Sequence, residues 1–154
     1  MSTRSYICME VGDDQYKTIY CHFDGYLKYN GAMLQNHYSE REQVEKLLEL
    51  GNMSILREKL EPDPNRPHSF EYDEQQNDVC VFYGRDRGDK NTQAKIFTLK
   101  ELDDLGNWTD YVYIFTKEGE WKYFETGEAQ KGLRDVKEDL ARLQEEPVIK
   151  EPTM

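Results

Sequence analysis

Between residues 5 and 23 apolar side chains recur at every second position. In SYICMEV, Ile7, Met9 and Val11 alternate with Tyr6, Cys8 and Glu10; in YKTIYCHF, Ile19, Cys21 and Phe23 alternate with Tyr20 and His22. A period of two predicts strands with one face turned to a core and the other to solvent. Gly12-Asp13-Asp14-Gln15 supplies turn residues between the two arms, and Asp24-Gly25 closes the second, so the stretch reads as a β-hairpin.

The period then changes. A short helix is predicted over 31–38. A second follows where Ser39 precedes Glu42 by three positions, as in a capping box, ahead of Val44, Leu47 and Leu48, with Gly51 as its stop. Residues 54–60 read as further helical turns. Pro62, Pro64 and Pro67 exclude a helix or central strand across 61–69, which reads as an exposed loop. Beyond it, DVCVFYG predicts a strand and TLKELDDLG a helix capped by Thr98 and Glu101 and ended by Gly106. TDYVYIFTKEGEWKYFETG predicts a second hairpin around Glu118-Gly119. From Glu128 to Glu146, Ala129, Leu133, Val136, Leu140 and Leu143 recur at helical spacing, predicting one long helix lying on the sheet; Pro147 ends it, leaving 147–154 as a frayed tail. The sum is an α+β chain with a mostly antiparallel sheet of about five strands and three or four helices, in one domain spanning 1–146.

Composition narrows the class. The chain has 154 residues, 31 acidic against 20 basic, for a net charge of −11. That charge opposes direct binding of nucleic acid or an anionic membrane and favours a protein partner with a basic surface. Although only 37% of residues are apolar, 11 tyrosines and an aromatic content of 12% separate the chain from disordered proteins. The first residues carry no basic start followed by an apolar run, and no stretch is long enough to span a bilayer, so the expected location is the cytoplasm. Cys8, Cys21 and Cys80, odd in number and widely spaced, are expected as free, buried thiols. A homodimer is compatible with all of this.

Three stretches bear on chemistry. Cys21, His22 and Asp24 fall within four positions, yet neighbouring strand residues point to opposite faces, so Cys21 and His22 do not pair as nucleophile and base, and the close cysteine pair of a structural zinc site is missing. No catalytic residues, metal site or cofactor are implied. His22 instead shares a face with Tyr20 and, at the strand end, with Asp24, a polar strip suited to binding, and Tyr26 just beyond it is a further ligand-binding candidate. In YGRDRGDKN, Arg85 and Arg87 flank Asp86 where a strand gives way to a glycine-containing loop, an arrangement suited to a phosphate or carboxylate; Arg4, ahead of the first strand, joins them if the sheet brings the two ends together. Carboxylates, among them Asp73, Glu74, Asp103, Asp104, Glu138 and Asp139, are spread through nearly every element, and with exposed tyrosines they form an interface composition. His37 and His68 have no such neighbours and are expected on the surface.

MSTRSYI at 1–7, IYCHFDGYLKYNG at 19–31, LLELGNMSIL at 47–56 and YGRDRG at 83–88 together resemble a family of small uncharacterised proteins encoded by bacteriophages and prophages. Members of that family typically carry tryptophan at the position of Phe23, proline at Leu27 and often histidine at Gly84, while His22, Asp24 and the Arg85–Gly88 run keep the pattern. The resemblance implies a viral accessory role in a bacterial cytoplasm. The leading expectation is therefore a non-enzymatic phage protein that binds a host protein through its acidic, tyrosine-rich surface, for instance to inhibit a nucleic-acid-binding defence enzyme. The alternative is a protein that binds or sequesters a nucleotide-like anion with Arg4, His22, Arg85 and Arg87.

Overall fold

The first hairpin forms as the alternation predicts. In a computed structural model that describes residues 3–105 and 109–145, β1 (Ser5–Gly12) pairs antiparallel with β2 (Gln15–Cys21), with Ile7 opposite Ile19 and Tyr6 opposite Tyr20. Asp14 takes a positive φ of 51° to complete the turn. Further strands follow at Met53–Ile55 (β3), Val81–Phe82 (β4), Lys95–Phe97 (β5), Tyr111–Phe115 (β6), Trp121–Glu125 (β7) and Arg134–Asp135 (β8). They make one sheet in the order β4-β3-β2-β1-β6-β7-β8, with β5 attached to β2. The expected second hairpin is β6 and β7, turned at Gly119.

The sheet is mixed α+β as expected and mostly antiparallel, but it has eight strands rather than about five. The extra strands, β3, β5 and β8, are two or three residues long, too short for any period to register. The helical turns expected over 54–60 are absent, because Met53 pairs in parallel with Cys21 while Ile55 pairs antiparallel with Val81, so the segment begins extended. The two hairpins are joined through a parallel pairing, Ser5 with Tyr111 through to Met9 with Phe115, between strands about a hundred residues apart.

Five α-helices pack around this sheet: α1 (Ala32–His37), α2 (Arg41–Glu49), α3 (Tyr83–Arg87), α4 (Leu99–Asp104) and α5 (Val136–Glu145). One sheet face carries Ile7, Met9, Ile19, Cys21, Tyr113 and Phe115 against Leu34, Val44, Leu47 and Val136 of α1, α2 and α5. The opposite face is also buried, with Cys8, Tyr16, Val112, Ile114 and Phe124 beneath Leu102 of α4. Of the solvated face expected from alternation, a partly exposed strip remains at the end of the sheet that holds Tyr20 and His22.

Caps and breaks account for the helix limits. The α4 capping box is present, with Glu101 Oε1 accepting the Thr98 N–H (2.8 Å) and Thr98 Oγ1 accepting that of Glu101 (3.2 Å). The box expected from Ser39 and Glu42 lies one residue later, where Gln43 Oε1 accepts the Glu40 N–H (3.2 Å). The long helix expected from Glu128 is interrupted: Ala129–Lys131 is a 3-10 turn, Gly132 takes φ 92° and leads into β8, and only then does Asp135 Oδ1 accept the Glu138 N–H (2.9 Å) to open α5. Val136 and Leu140 lie on the sheet as expected, while Leu133 faces solvent. Gly106 and the tail from Pro147 lie outside the described residues. No helix among the described residues is long and apolar enough to cross a membrane.

Gly51 ends α2 at φ 84°, and a Cβ there would run into the Thr92 carbonyl oxygen. Gly51→Ala is expected to destabilise the protein by about 2 kcal/mol, since a left-handed backbone and a close approach are both violated; chemical denaturation midpoints check this.

Candidate ligand-binding groove

Strand β2 has two neighbours in line along its outer edge. β5 pairs with Tyr16, Lys17 and Thr18, and β3 with Cys21, leaving Tyr20 between them. The gap is bridged by a side chain: Asn52 Oδ1 accepts the Tyr20 N–H (2.9 Å). Asn52 is itself fixed, its N–H donating to Thr92 O (2.7 Å) and its carbonyl accepting the Tyr83 N–H (3.2 Å). With Oδ1 engaged, the amide is oriented and its Nδ2 is left as a donor without an acceptor among the described residues.

Two adjoining hollows open over this gap and share Tyr20 and Asn52. The first, of about 420 Å³, is lined by Arg4, Tyr6, Gln93, Lys95 and Phe97. The second, of about 890 Å³, is lined by His22, Phe23, Phe70, Tyr72, Tyr83 and Arg87 among others. No carboxylate lines the first hollow, so Arg4 and Lys95 make it locally cationic in a chain of net charge −11. In the second, the Arg87 guanidinium lies 4.3 Å from the Phe70 ring centre and 4.8 Å from that of Tyr83, held by a two-point bond to Asp89 (2.7 and 3.0 Å). That pairing raises Arg87 and lowers Asp89 from their ordinary values.

Tyr20 and His22 share a face, as the alternation predicts, and their side chains bond directly, Tyr20 hydroxyl to His22 Nδ1 at 2.7 Å. Burial, opposed by the Arg4 charge, pushes the Tyr20 phenol up to about 12. Burial first and the Arg4 charge second push His22 below the ordinary 6.5. Both groups are neutral near pH 7, so the pair offers hydrogen bonds rather than a charged acid or base. Cys21 points to the other face, fully buried against Asn30 Nδ2 (3.4 Å) with its thiol pushed up to about 12 by burial, which suits a core residue and not a nucleophile.

The remaining sequence candidates disperse. The YGRDRG stretch is helix α3, with Gly88 at φ 80° as its left-handed end, not a loop. Arg85 turns inward: it donates to the carbonyls of Leu60 and Cys80 (2.9 Å to the latter) and clasps the Asp86 carboxylate (2.9 and 3.1 Å), away from both hollows. Asp86 is buried and accepts the Phe82 N–H (2.8 Å). His68, expected on the surface, is buried beside it: Nδ1 accepts the Gln76 N–H (3.0 Å), so Nε2 carries the proton and faces Cys80 O (3.2 Å) and Asp86 (3.5 Å). Gln76, also buried, pins the proline loop by accepting the Asp63 N–H (2.8 Å) and donating to the carbonyls of Asp63 (2.9 Å) and Arg66 (3.1 Å). Asp24 takes φ 58° and its carbonyl accepts the Asn30 N–H, while Tyr26 borders a separate hollow with Lys28, Tyr111 and Arg134.

Of the acidic candidates, Asp139 is buried, accepting the Tyr123 hydroxyl (2.6 Å) and ion-pairing with Arg134 (3.0 Å) and Arg142 (3.2 Å). Asp103 accepts the N–H groups of Gly127 and Ala129. Asp73, Glu74, Asp104 and Glu138 are exposed. Lys95, Asn52, Gln93 and Phe70 went unread because they lie in short or irregular segments with no pattern, and Arg4 and Lys95, ninety-one positions apart, carry no signal that they meet. Among the described residues no cluster of three or more His, Cys, Asp or Glu side chains is placed to hold a metal ion. Comparison with protein-family models, curated proteins and solved structures found no match.

Two outcomes follow from these placements. Arg85→Ala is expected to cost about 3 kcal/mol by leaving the buried Asp86 carboxylate without its cation, whereas Arg87→Ala, at an exposed pair, leaves the denaturation midpoint nearly unchanged; urea titrations separate them. An NMR titration of His22 is expected to give a midpoint below 6.5. Protonation there favours the unfolded chain, so this contribution to stability is complete above the unfolded value and is lost as pH falls through the folded one.

Proposed function

We propose that this protein is a non-enzymatic binding protein whose groove takes a small anion bearing a flat ring, the chemistry of a nucleotide, in an accessory role for a phage within a bacterial cell. The observation that carries this reading is the first hollow: Arg4 and Lys95 with Tyr6, Tyr20 and Phe97, and no carboxylate in the lining. Cations attract the phosphate, and tyrosine and phenylalanine faces stack on the ring. The surplus of negative charge elsewhere opposes a long polyanion while leaving a ligand with one or two phosphates tolerable. Arg4, His22 and Arg87 line this groove; Arg85, committed to carbonyls and Asp86, is outside the proposed ligand set.

The test is a thermal-shift and calorimetry panel of nucleotides. A rise in midpoint that shrinks with salt and is lost in an Arg4→Ala, Lys95→Ala double variant is the expected result; no shift with any nucleotide overturns the reading.

One observation favours a second reading. Tyr72 is 86% exposed, and Glu71, Asp73 and Glu74 around it are exposed as well. An aromatic residue ringed by carboxylates is the composition that docks on a basic protein surface, such as the nucleic-acid groove of a host defence enzyme. Salt-sensitive capture of such a host protein, weakened by Tyr72→Ala, is the expected outcome; capture indifferent to salt counts against it.

A further inference from the structure

The groove is not one hollow but two, and what divides them is specific. Tyr20 and Asn52 belong to both linings and form a ridge with an aromatic well on each side. In the first well Tyr6 and Phe97 lie 6.5 Å apart, ring centre to ring centre. In the second, Phe70 and Tyr83 lie 5.7 Å apart with Arg87 against both, and the carboxylates Glu71 and Asp89 in its lining, Asp89 bound to Arg87, suit it to a neutral base rather than to the phosphate. A mononucleotide has one ring and fills one well.

The ridge carries the donors a linking group would need. Asn52 Nδ2 is oriented by the bond its Oδ1 receives from the Tyr20 N–H and has no other partner among the described residues. His22 Nδ1 is engaged by the Tyr20 hydroxyl; with the phenol as donor, Nε2 carries the ring proton at the edge of the second well. Arg4 lines the first hollow together with Tyr20 and Asn52, and its charge acts on both Tyr20 and His22. An amide N–H shared by the two hollows, with a guanidinium lining the first and an imidazole N–H lining the second, suits the oxygens of a linking phosphate.

Resting on the nucleotide reading above, we infer that the ligand is a dinucleotide: two flat bases, one in each well, joined through a phosphate that lies over the Tyr20–Asn52 ridge. The net charge of −11 bounds the length from above, because each further nucleotide adds a negative charge, and the hollow bordered by Tyr26, Tyr111 and Arg134 shares no lining residue with these two. Each base that stacks adds affinity with little regard to its identity, so the second ring is worth about tenfold or more.

The experiment is calorimetry on the full chain with adenosine monophosphate, a linear diadenylate, a cyclic diadenylate and a decanucleotide, on native protein and two variants. Tyr72→Ala removes a highly exposed ring from the second well. Asn52→Asp keeps the oxygen that accepts the Tyr20 N–H and replaces the donor amide with a negative oxygen. At least one diadenylate is expected to bind about tenfold more tightly than the monophosphate, and more tightly per site than the decanucleotide. Asn52→Asp abolishes most of that advantage with an unchanged thermal midpoint, and Tyr72→Ala lowers diadenylate affinity without altering that of the monophosphate. Equal affinity for monophosphate and diadenylates, or an advantage indifferent to both variants, overturns the two-well inference and leaves the nucleotide reading standing. Failure of every nucleotide to bind overturns both.

Discussion

Strand β2 has more edge than any one neighbour covers, and much of this molecule follows from how that edge is shared. Seven residues long, it offers hydrogen-bonding groups on both sides. β1 takes one side along its whole length, but the other side is divided between an antiparallel β5 and a parallel β3 that arrive from different parts of the chain. Backbone polar groups at such a junction must find partners, and a side chain from the end of α2's connection, Asn52, supplies one. A continuous strand here would seal the sheet. The division leaves a recess, and a recess at a strand junction is where converging side chains find room for a ligand.

What holds the rim of the recess is a layer of polar contacts that carries no ligand chemistry itself. Arg85, Asp86 and His68 tie α3, β4 and the proline loop together through the carbonyls of Leu60 and Cys80, and Gln76 gathers the loop around its amide. Because these groups are buried, each unmade bond would be costly, so the network has one arrangement. It sets where Phe70 and Tyr83 stand, and hence where Arg87 can stack. Two arginines in one short motif thus have opposite roles: Arg85 turns inward to support the frame, and Arg87 turns outward to line the groove. Nothing in their spacing distinguishes them, since a helix of five residues sends positions two apart to different sides.

Charge acts on a different scale from these contacts. Many of the carboxylates are engaged locally, as at Asp139, where one buried group holds a tyrosine hydroxyl and two arginines, and at Asp103, which caps a turn. The exposed remainder sets a negative field that falls off within a Debye length in salt. Against that background Arg4 and Lys95, in a hollow that no carboxylate lines, are conspicuous, and a small anion is a better match to them than a polymer.

Sequence alone determined what depends on neighbours in the chain. Alternation fixed the first hairpin and put Tyr20 and His22 on one face with Cys21 on the other, aromatic and β-branched arms around Glu118-Gly119 fixed the second, the Thr98–Glu101 box fixed α4, and proline density fixed the break at 61–69, because strand pleat, turn chemistry, helix capping and ring closure are all local geometry. Tertiary structure alone decided the parallel pairing of β1 with β6, the existence of β3, β5 and β8, the break in the helical stripe after Ala129, and the meeting of Arg4, Asn52 and Lys95 around one hollow. A two-residue strand has no period to read, and its conformation comes from the edge that receives it. Burial of Asp139 and His68 and the inward turn of Arg85 likewise depend on partners that the fold brings up, Tyr123 for the first, Gln76 and Cys80 for the second and Leu60 for the third, whose arrival a polar residue's own position in the chain does not announce.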